Sequence, residues 1–350
     1  MAYSKMRNVF FLFMVFIVGI CILAGCGATK TGVTETQSSQ SPEQIEIAFA
    51  SCCVTEDVTT KVLVPMFEDQ WAERTGNKVK ILPTFAGSGT LTNNIVGGND
   101  VQVALLSSEL YAQQLRDKGL TETDWRTLPH DGVAIKSTIV FLVREGNPKQ
   151  IYSFTDLTKP GVEIIHSSPD TSGGAQWAIY AIYGSALRES ELQTGVQDEQ
   201  RAFQLLQNVE NNVIAMPESA KQAAAQFDAG QGDVIITYEN EALLELQKGK
   251  PYEMIVPQRT VETGWTVVKL DSNIQTSQEE IVDQFITFLY SDEAQTAYAE
   301  YGYRSINDDI TAKFDQYAEI DDPFTLDYFG GVERARAEII DHLWKQTQKR

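Results

Sequence analysis

Histidine and cysteine are scarce: three and four among 350 residues. His130, His166 and His342 are far apart in the chain, so a histidine- or cysteine-rich zinc site is not expected. Positive charge is also in deficit, with 28 Lys and Arg against 48 Asp and Glu and a formal net charge of −20. That balance disfavours binding to a nucleic-acid backbone. No Walker loop occurs, since neither Gly87-Ser88-Gly89 nor Ser172-Gly173-Gly174 carries its spacing. The nucleophile elbow G-x-S-x-G is missing there too, and no acid/base spacing stands out, so no enzyme chemistry, cofactor or metal is expected. One long apolar run exists, at residues 9–23, and it is short for a membrane span of about 20 residues.

That run follows Lys5 and Arg7 and ends in Leu23-Ala24-Gly25-Cys26, the basic, apolar and small-residue order of an export signal. It resembles the lipobox of bacterial lipoproteins, which implies cleavage of residues 1–25 and lipid attachment at Cys26. Residues 26–44 are rich in Ser, Thr, Gln and Gly and read as a flexible tether. The folded body is then extracytoplasmic, held at a bacterial cell membrane through its lipid. Cys21 leaves with the signal, so Cys52 and Cys53 are the cysteines of the body; neighbouring residues rarely make an unstrained disulfide. Both read by default as small, buried apolar residues.

Beyond the tether, strand and helix signals alternate, as in an α/β sheet protein. Strands are expected at residues 45–49, 79–83, 101–106, 137–143, 162–166, 233–238, 252–257 and 266–270. Helices are expected over residues 58–67 with an interruption at Pro65, from Glu109, from about Ala175, and over residues 215–227, 279–290 and 332–344.

Thr171-Ser172-Gly173-Gly174 stands between an extended and a helical stretch. A hydroxyl and paired glycines there can turn several backbone N–H groups toward one anion at the positive end of a helix. A small tetrahedral oxyanion suits such a nest; an ordinary loop with an N-cap is the plain alternative. Glu56, Glu218 and Glu239 would bear on a protonated anion such as phosphate if they faced it, but acidic side chains of this kind usually lie in solvent.

The runs STIVFLVREGNPKQI, DLTKPGVEII, SSPDTSGGAQW and GQGDVIITYENEALL occur in that order, and DDPFTLDYFGG follows near the end. Together they resemble the sulfate- and thiosulfate-binding proteins of bacterial ABC importers. The resemblance implies a two-lobed, periplasmic-binding-protein-like α/β clamp of type II. Residues 45–135 and 264–345 would form the first lobe and residues 136–262 the second. It further implies capture of sulfate or a related oxyanion, delivery to an ABC permease without chemical conversion, and a monomer. Phosphate, thiosulfate and molybdate or tungstate remain open as ligands, as does a sensor or adhesion role for the same fold.

The family's contact segments map onto Cys53, where the family has Asp, and onto Ser88 with Gly89. They also map onto Ser172, Gly173 and Gly174, onto Ser219, and onto Tyr238, where the family often has Trp. Trp donates only its indole N–H, whereas Tyr both donates and accepts.

Overall fold

The computed structural model describes residues 44–349; the expected signal, Cys26 and the tether to residue 43 lie outside them. Eleven strands are present among the described residues: β1 (Ile45–Cys52), β2 (Val79–Ala86), β3 (Val103–Leu106), β4 (Val133–Arg144), β5 (Ile164–Ile165), β6 (Val213–Ala215), β7 (Val234–Tyr238), β8 (Tyr252–Ile255), β9 (Arg259–Lys269), β10 (Arg304–Ser305) and β11 (Asp322–Phe324). Their main order is β2-β1-β3-β9-β4-β7-β5-β6.

One half holds β1 parallel to β2 and β3; the other holds β5 parallel to β6 and β7. The long antiparallel strands β4 and β9 pair with each other and join the halves, β9 bonding to β3 and β4 bonding to β7. This is a two-lobed α/β clamp. No described helix is long and apolar enough to cross a membrane.

Local sequence accounts for these elements. From Ser137 to Val143 the β4 strand is continuously buried, as its unbroken apolar run requires when both faces are covered. The helix Gly173–Thr194 is apolar on every side, and all residues from Ala175 to Leu187 are buried. Its first turn, which carries the paired glycines, is therefore anchored by a core helix. At Gly184 a Cβ would collide with the rings of Phe324 and Phe329, so that helix also needs glycine where the C-terminal segment packs on it.

Three local expectations change. The interruption at Pro65 does not occur: helix runs from Glu56 to Thr75, with a wide π turn at Thr59–Leu63 just ahead of the proline. Proline lacks an N–H and crowds the carbonyl four residues back, and the widened turn accommodates both defects. The helix expected over residues 215–227 is instead β6, a loop holding Pro217, and a helix at Ala220–Asp228 capped by Ser219. Finally, the nest helix begins at Gly173, two residues ahead of Ala175.

Candidate anion site

In open α/β sheets, ligands bind beyond the carboxyl ends of parallel strands. Here the candidate residues occupy those ends in both lobes. Cys52 closes β1 and Cys53 follows it; Ser88 and Gly89 follow β2, and Ser107 follows β3. In the other half, Ser172–Gly174 come after β5, Ser219 after β6, and Tyr238 ends β7.

Helix starts meet at this place. Ser88–Val96 and Gly173–Thr194 both begin here, and Leu91 N and Gln176 N make bonds back to Gly87 O and Ser172 O. The N–H groups ahead of them in each first turn have no acceptor within their own helix. The two starts approach closely, since a Cβ on Gly87 would lie 3.2 Å from Thr171 O. The positive ends of both helices therefore point into one small region.

Glycine is required at the junction. A Cβ on Gly173 would sit 2.5 Å from Ser107 Oγ, and one on Gly174 would sit 2.6 Å from Tyr238 Cε2. The bare backbone lets a hydroxyl of one lobe and a phenol of the other reach the start of the same helix. Gly89 lies nearby, its Cβ position 3.7 Å from Tyr111 Cε1. Ser88 is buried, and its Oγ accepts the Ser107 N–H at 2.9 Å. The Trp177 indole donates to Ser107 O at 3.0 Å, which ties the nest helix to the loop after β3.

Three buried polar atoms in this neighbourhood lack a hydrogen bond of good geometry: Ser107 Oγ, Tyr238 OH and Trp265 Nε1; Ser107 and Tyr238 lie close enough to each other, and Trp265 to Cys52, for weak contacts only. Their residues are 1%, 3% and 0% exposed. Leaving such groups poorly paired costs about 1–3 kcal/mol each, so their cluster is a candidate place for a polar guest. The Tyr238 ring lies 5.0 Å from Trp265, and Trp265 packs edge-on to Tyr303. Burial raises Tyr238 well above the usual phenol range and raises Tyr111 as well, so both remain neutral phenols able to donate.

The cysteines are free, Cys52 buried and Cys53 partly so. A hydrogen bond from the Cys53 thiol is the main influence lowering the Cys52 pKa; Val54 N–H, Ser88 and Trp265 add to it against the cost of burial. The same contact and burial raise Cys53.

Cys53, Ser88, Gly89, Gly173, Gly174 and Tyr238 are thus brought into one neighbourhood, with Ser172 adjoining it. The Ser172 N–H is already bonded to Ser168 O at 2.9 Å, and its hydroxyl makes no cap. Ser219 stands slightly apart: its hydroxyl caps the helix Ala220–Asp228 by accepting from Gln222 N at 3.3 Å. Its segment still joins the nest loop, because Thr171 Oγ1 donates to Glu218 O at 2.9 Å.

Among the carboxylates, Glu56 and Glu218 are exposed as expected. Glu239 is not. It is fully buried and takes both arms of Arg304, at 2.6 and 2.8 Å, which fixes the helix start behind Tyr238. Among the described residues no group of three or more His, Cys, Asp or Glu could hold a metal ion.

Sequence reasoning missed Cys52, Ser107, Tyr111 and Trp265 as members of this cluster. The serine pair 107–108, placed straight after the strand β3, was a readable signal. Trp265 carried none, since it lies inside the linking strand β9.

Comparison with known proteins agrees with this architecture. The family model described as bacterial extracellular solute-binding protein matches residues 59–304. The sulfate-binding protein of Synechocystis sp. is 31% identical over 91% of this chain and 90% of its own length. The thiosulfate-binding protein of Escherichia coli is 32% identical over 82% of each chain. The solved sulfate-binding protein SubI of Mycobacterium tuberculosis superposes with a TM-score of 0.76 at 26% identity, covering 85% of this chain and all of that one. Sequence motifs, clamp architecture and relatives converge: the chain belongs to the family of bacterial extracellular solute-binding proteins, among the relatives of its sulfate- and thiosulfate-binding members.

Proposed function

We propose that this chain is the lipid-tethered, monomeric substrate-binding component of an ABC importer, capturing sulfate or a closely related oxyanion and releasing it unchanged to a permease. The observation that carries this reading is the cluster of buried hydroxyl, phenol and indole groups without a well-formed hydrogen bond where the helices Ser88–Val96 and Gly173–Thr194 begin. Neutral donors and peptide N–H groups suit a fully deprotonated tetrahedral anion, which needs donors and no base. In this reading Cys53, Ser88, Gly89, Ser172, Gly173, Gly174 and Tyr238 contact the anion, joined by Ser107 and Trp265. Ser219 supports the nest loop from the adjoining helix start.

Residues 45–135 with 264–345 act as one lobe and residues 136–262 as the other. Both boundaries fall within the paired strands β4 and β9, where a hinge would have to lie. Attachment at Cys26 after removal of residues 1–25 keeps the clamp beside its permease. Relatives named for sulfate and for thiosulfate both support the ligand class.

Calorimetric titration with sulfate, thiosulfate, phosphate and molybdate tests the reading. Saturable, one-to-one sulfate or thiosulfate binding is expected. Tight binding of phosphate or molybdate with no sulfate response would overturn the sulfate assignment, and turnover of a bound ester would overturn the transport role.

A further inference from the structure

We propose that His166 and Glu210 are positioning residues for anion capture, which with Trp344 and Gln348 pin the loop of residues 167–172 that leads into the nest helix. The role rests on the oxyanion reading above. His166 follows β5 and is wholly buried. Its Nδ1 lies 2.7 Å from Ser167 O, and its Nε2 lies 3.0 Å from Glu210 Oε1. The other oxygen of that carboxylate accepts the Trp344 indole N–H at 3.1 Å and the Gln348 amide at 2.7 Å. The Glu210 side chain is 3% exposed. Glu210 is also the last residue of the helix Glu199–Glu210, where the negative helix end disfavours a carboxylate, so its own helix does not account for it.

The partners fix where the protons lie. Ser167 O only accepts, so Nδ1 carries a hydrogen. An ionised Glu210 also only accepts, so Nε2 carries one too, and the ring is a buried imidazolium facing a carboxylate. Burial opposes the charged ring, but the Glu210 charge, its hydrogen bond and Ser167 O outweigh that and hold His166 above an ordinary histidine. Burial likewise opposes the carboxylate, yet His166, Trp344 and Gln348 hold Glu210 below the ordinary carboxyl range. Among the described residues, Glu210 is the charge that bears on the ring. The C-terminal segment presents neutral Trp344 and Gln348 to that pair, and β6 meets His166 through backbone, His166 N donating to Ala215 O at 3.4 Å.

From the ring the order runs into the nest. Holding Ser167 O sets the peptide between Ser167 and Ser168, whose N–H donates to Pro217 O at 2.8 Å. Ser168 O in turn accepts the Thr171 and Ser172 N–H groups at 3.1 and 2.9 Å, and helix begins at Gly173. Loss of the bridging proton sets the Nε2 lone pair against the Glu210 carboxylate and drives the two apart. The folded protein keeps that proton above the ordinary histidine value of 6.5, so the pinned loop is complete below 6.5 and is lost as pH rises through the raised value. Anion affinity therefore declines with rising pH over the same window. Because Trp344 and Gln348 stand near the chain end, the C-terminal segment also bears on the nest.

The test joins calorimetry with sulfate, which has no titratable proton near neutral pH, to nitrogen NMR of the histidine rings in the full chain. With three histidines present, His166→Gln identifies the signal. The expected ring carries both protons at neutral pH, titrates above 6.5 and is moved further up by saturating sulfate. His166→Gln and Glu210→Gln should each weaken sulfate binding about tenfold at neutral pH, with circular dichroism unchanged. Trp344→Phe, which keeps the ring packing and removes one N–H, should weaken it about threefold. Cys52 and Glu241 also ionise at about 7, so the pH decline is read as the difference between wild type and His166→Gln, whose slope should be shallower. A ring that is neutral at neutral pH overturns the pairing even where sulfate binds. A ring titration that saturating sulfate does not move, or three folded variants binding within about twofold of wild type, overturns the positioning role. The wild-type ring signal decides even where a variant fails to fold. If no anion binds at all, the oxyanion reading falls and the positioning role with it, whereas sulfate binding without a ring response overturns the role alone.

Discussion

Gly174→Ala tests the geometry of the site most directly, because local and tertiary effects have opposite signs. Gly174 is in the first turn of the helix Gly173–Thr194 and has no positive φ. Helix propensity alone makes alanine favourable there, by up to about 0.5–1 kcal/mol. The tertiary contact acts the other way. The new methyl group would lie 2.6 Å from Tyr238 Cε2 and 3.2 Å from Cζ. Carbon atoms normally rest about 3.5–4.0 Å apart, so the ring or the helix must move by about 1 Å. The ring has little freedom, being 3% exposed and packed against Trp265, itself wholly buried.

Overpacking of this kind costs about 1–3 kcal/mol. If closure of the cleft bears that cost, anion affinity falls by about 5- to 150-fold. Calorimetry with the tightest anion of the panel reads the affinity, and urea unfolding reads the stability. Gly89→Ala is the packing control: its methyl group would meet Tyr111 at an ordinary 3.7 Å, so a urea midpoint no lower than that of the wild type is expected. A Gly174→Ala protein that binds like wild type and resists more urea would refute the reasoning, since propensity alone would then have decided the outcome.

Arg304→Met should lower stability by about 3–5 kcal/mol, because it strands the Glu239 carboxylate in the interior. Urea unfolding checks this, and the double variant with Glu239→Gln should recover part of the loss. Ser88→Ala removes the acceptor of the buried Ser107 N–H and should cost about 1–3 kcal/mol; an unchanged urea midpoint would contradict that role. Burial first, and then the charge at Cys52, push the Glu241 carboxyl up to about 7 from an ordinary 4.5. Between those values the folded protein holds a proton that the unfolded chain releases, so stability falls as pH rises through the window. Urea midpoints from pH 5 to 7.5 should decline for the wild type and flatten in Glu241→Gln; parallel slopes would count against the assignment.

The parts of the site that were legible in sequence are those whose chemistry is local. Paired glycines after a hydroxyl specify a helix start with free N–H groups, and helix begins at Gly173. Alternating strands and helices specify the α/β class, and the ordered motifs from Ser137 to Leu244 specify the clamp. Where a partner lies far along the chain, the reading failed. Glu239 looked like a solvent-facing carboxylate because Arg304 is 65 residues away. The helix expected over residues 215–227 ignored how β5 draws Val213 and Ala215 into the sheet.

The sequence by itself determined a glycine-led helix start and a clamp scaffold, and carried the expectation of an export-type N-terminus. It could do so because glycine, apolar periodicity and charge act within a few residues. Tertiary structure alone decided that Ser107, Tyr238 and Trp265 meet at that helix start with no well-formed hydrogen bond on their polar atoms. Those residues stand on β3, β7 and β9 or just beyond them, and only the pairing of the long strands β4 and β9 brings their ends together. Strand pairing is a long-range event, governed by sheet register and core packing, and no local pattern around Trp265 announces it.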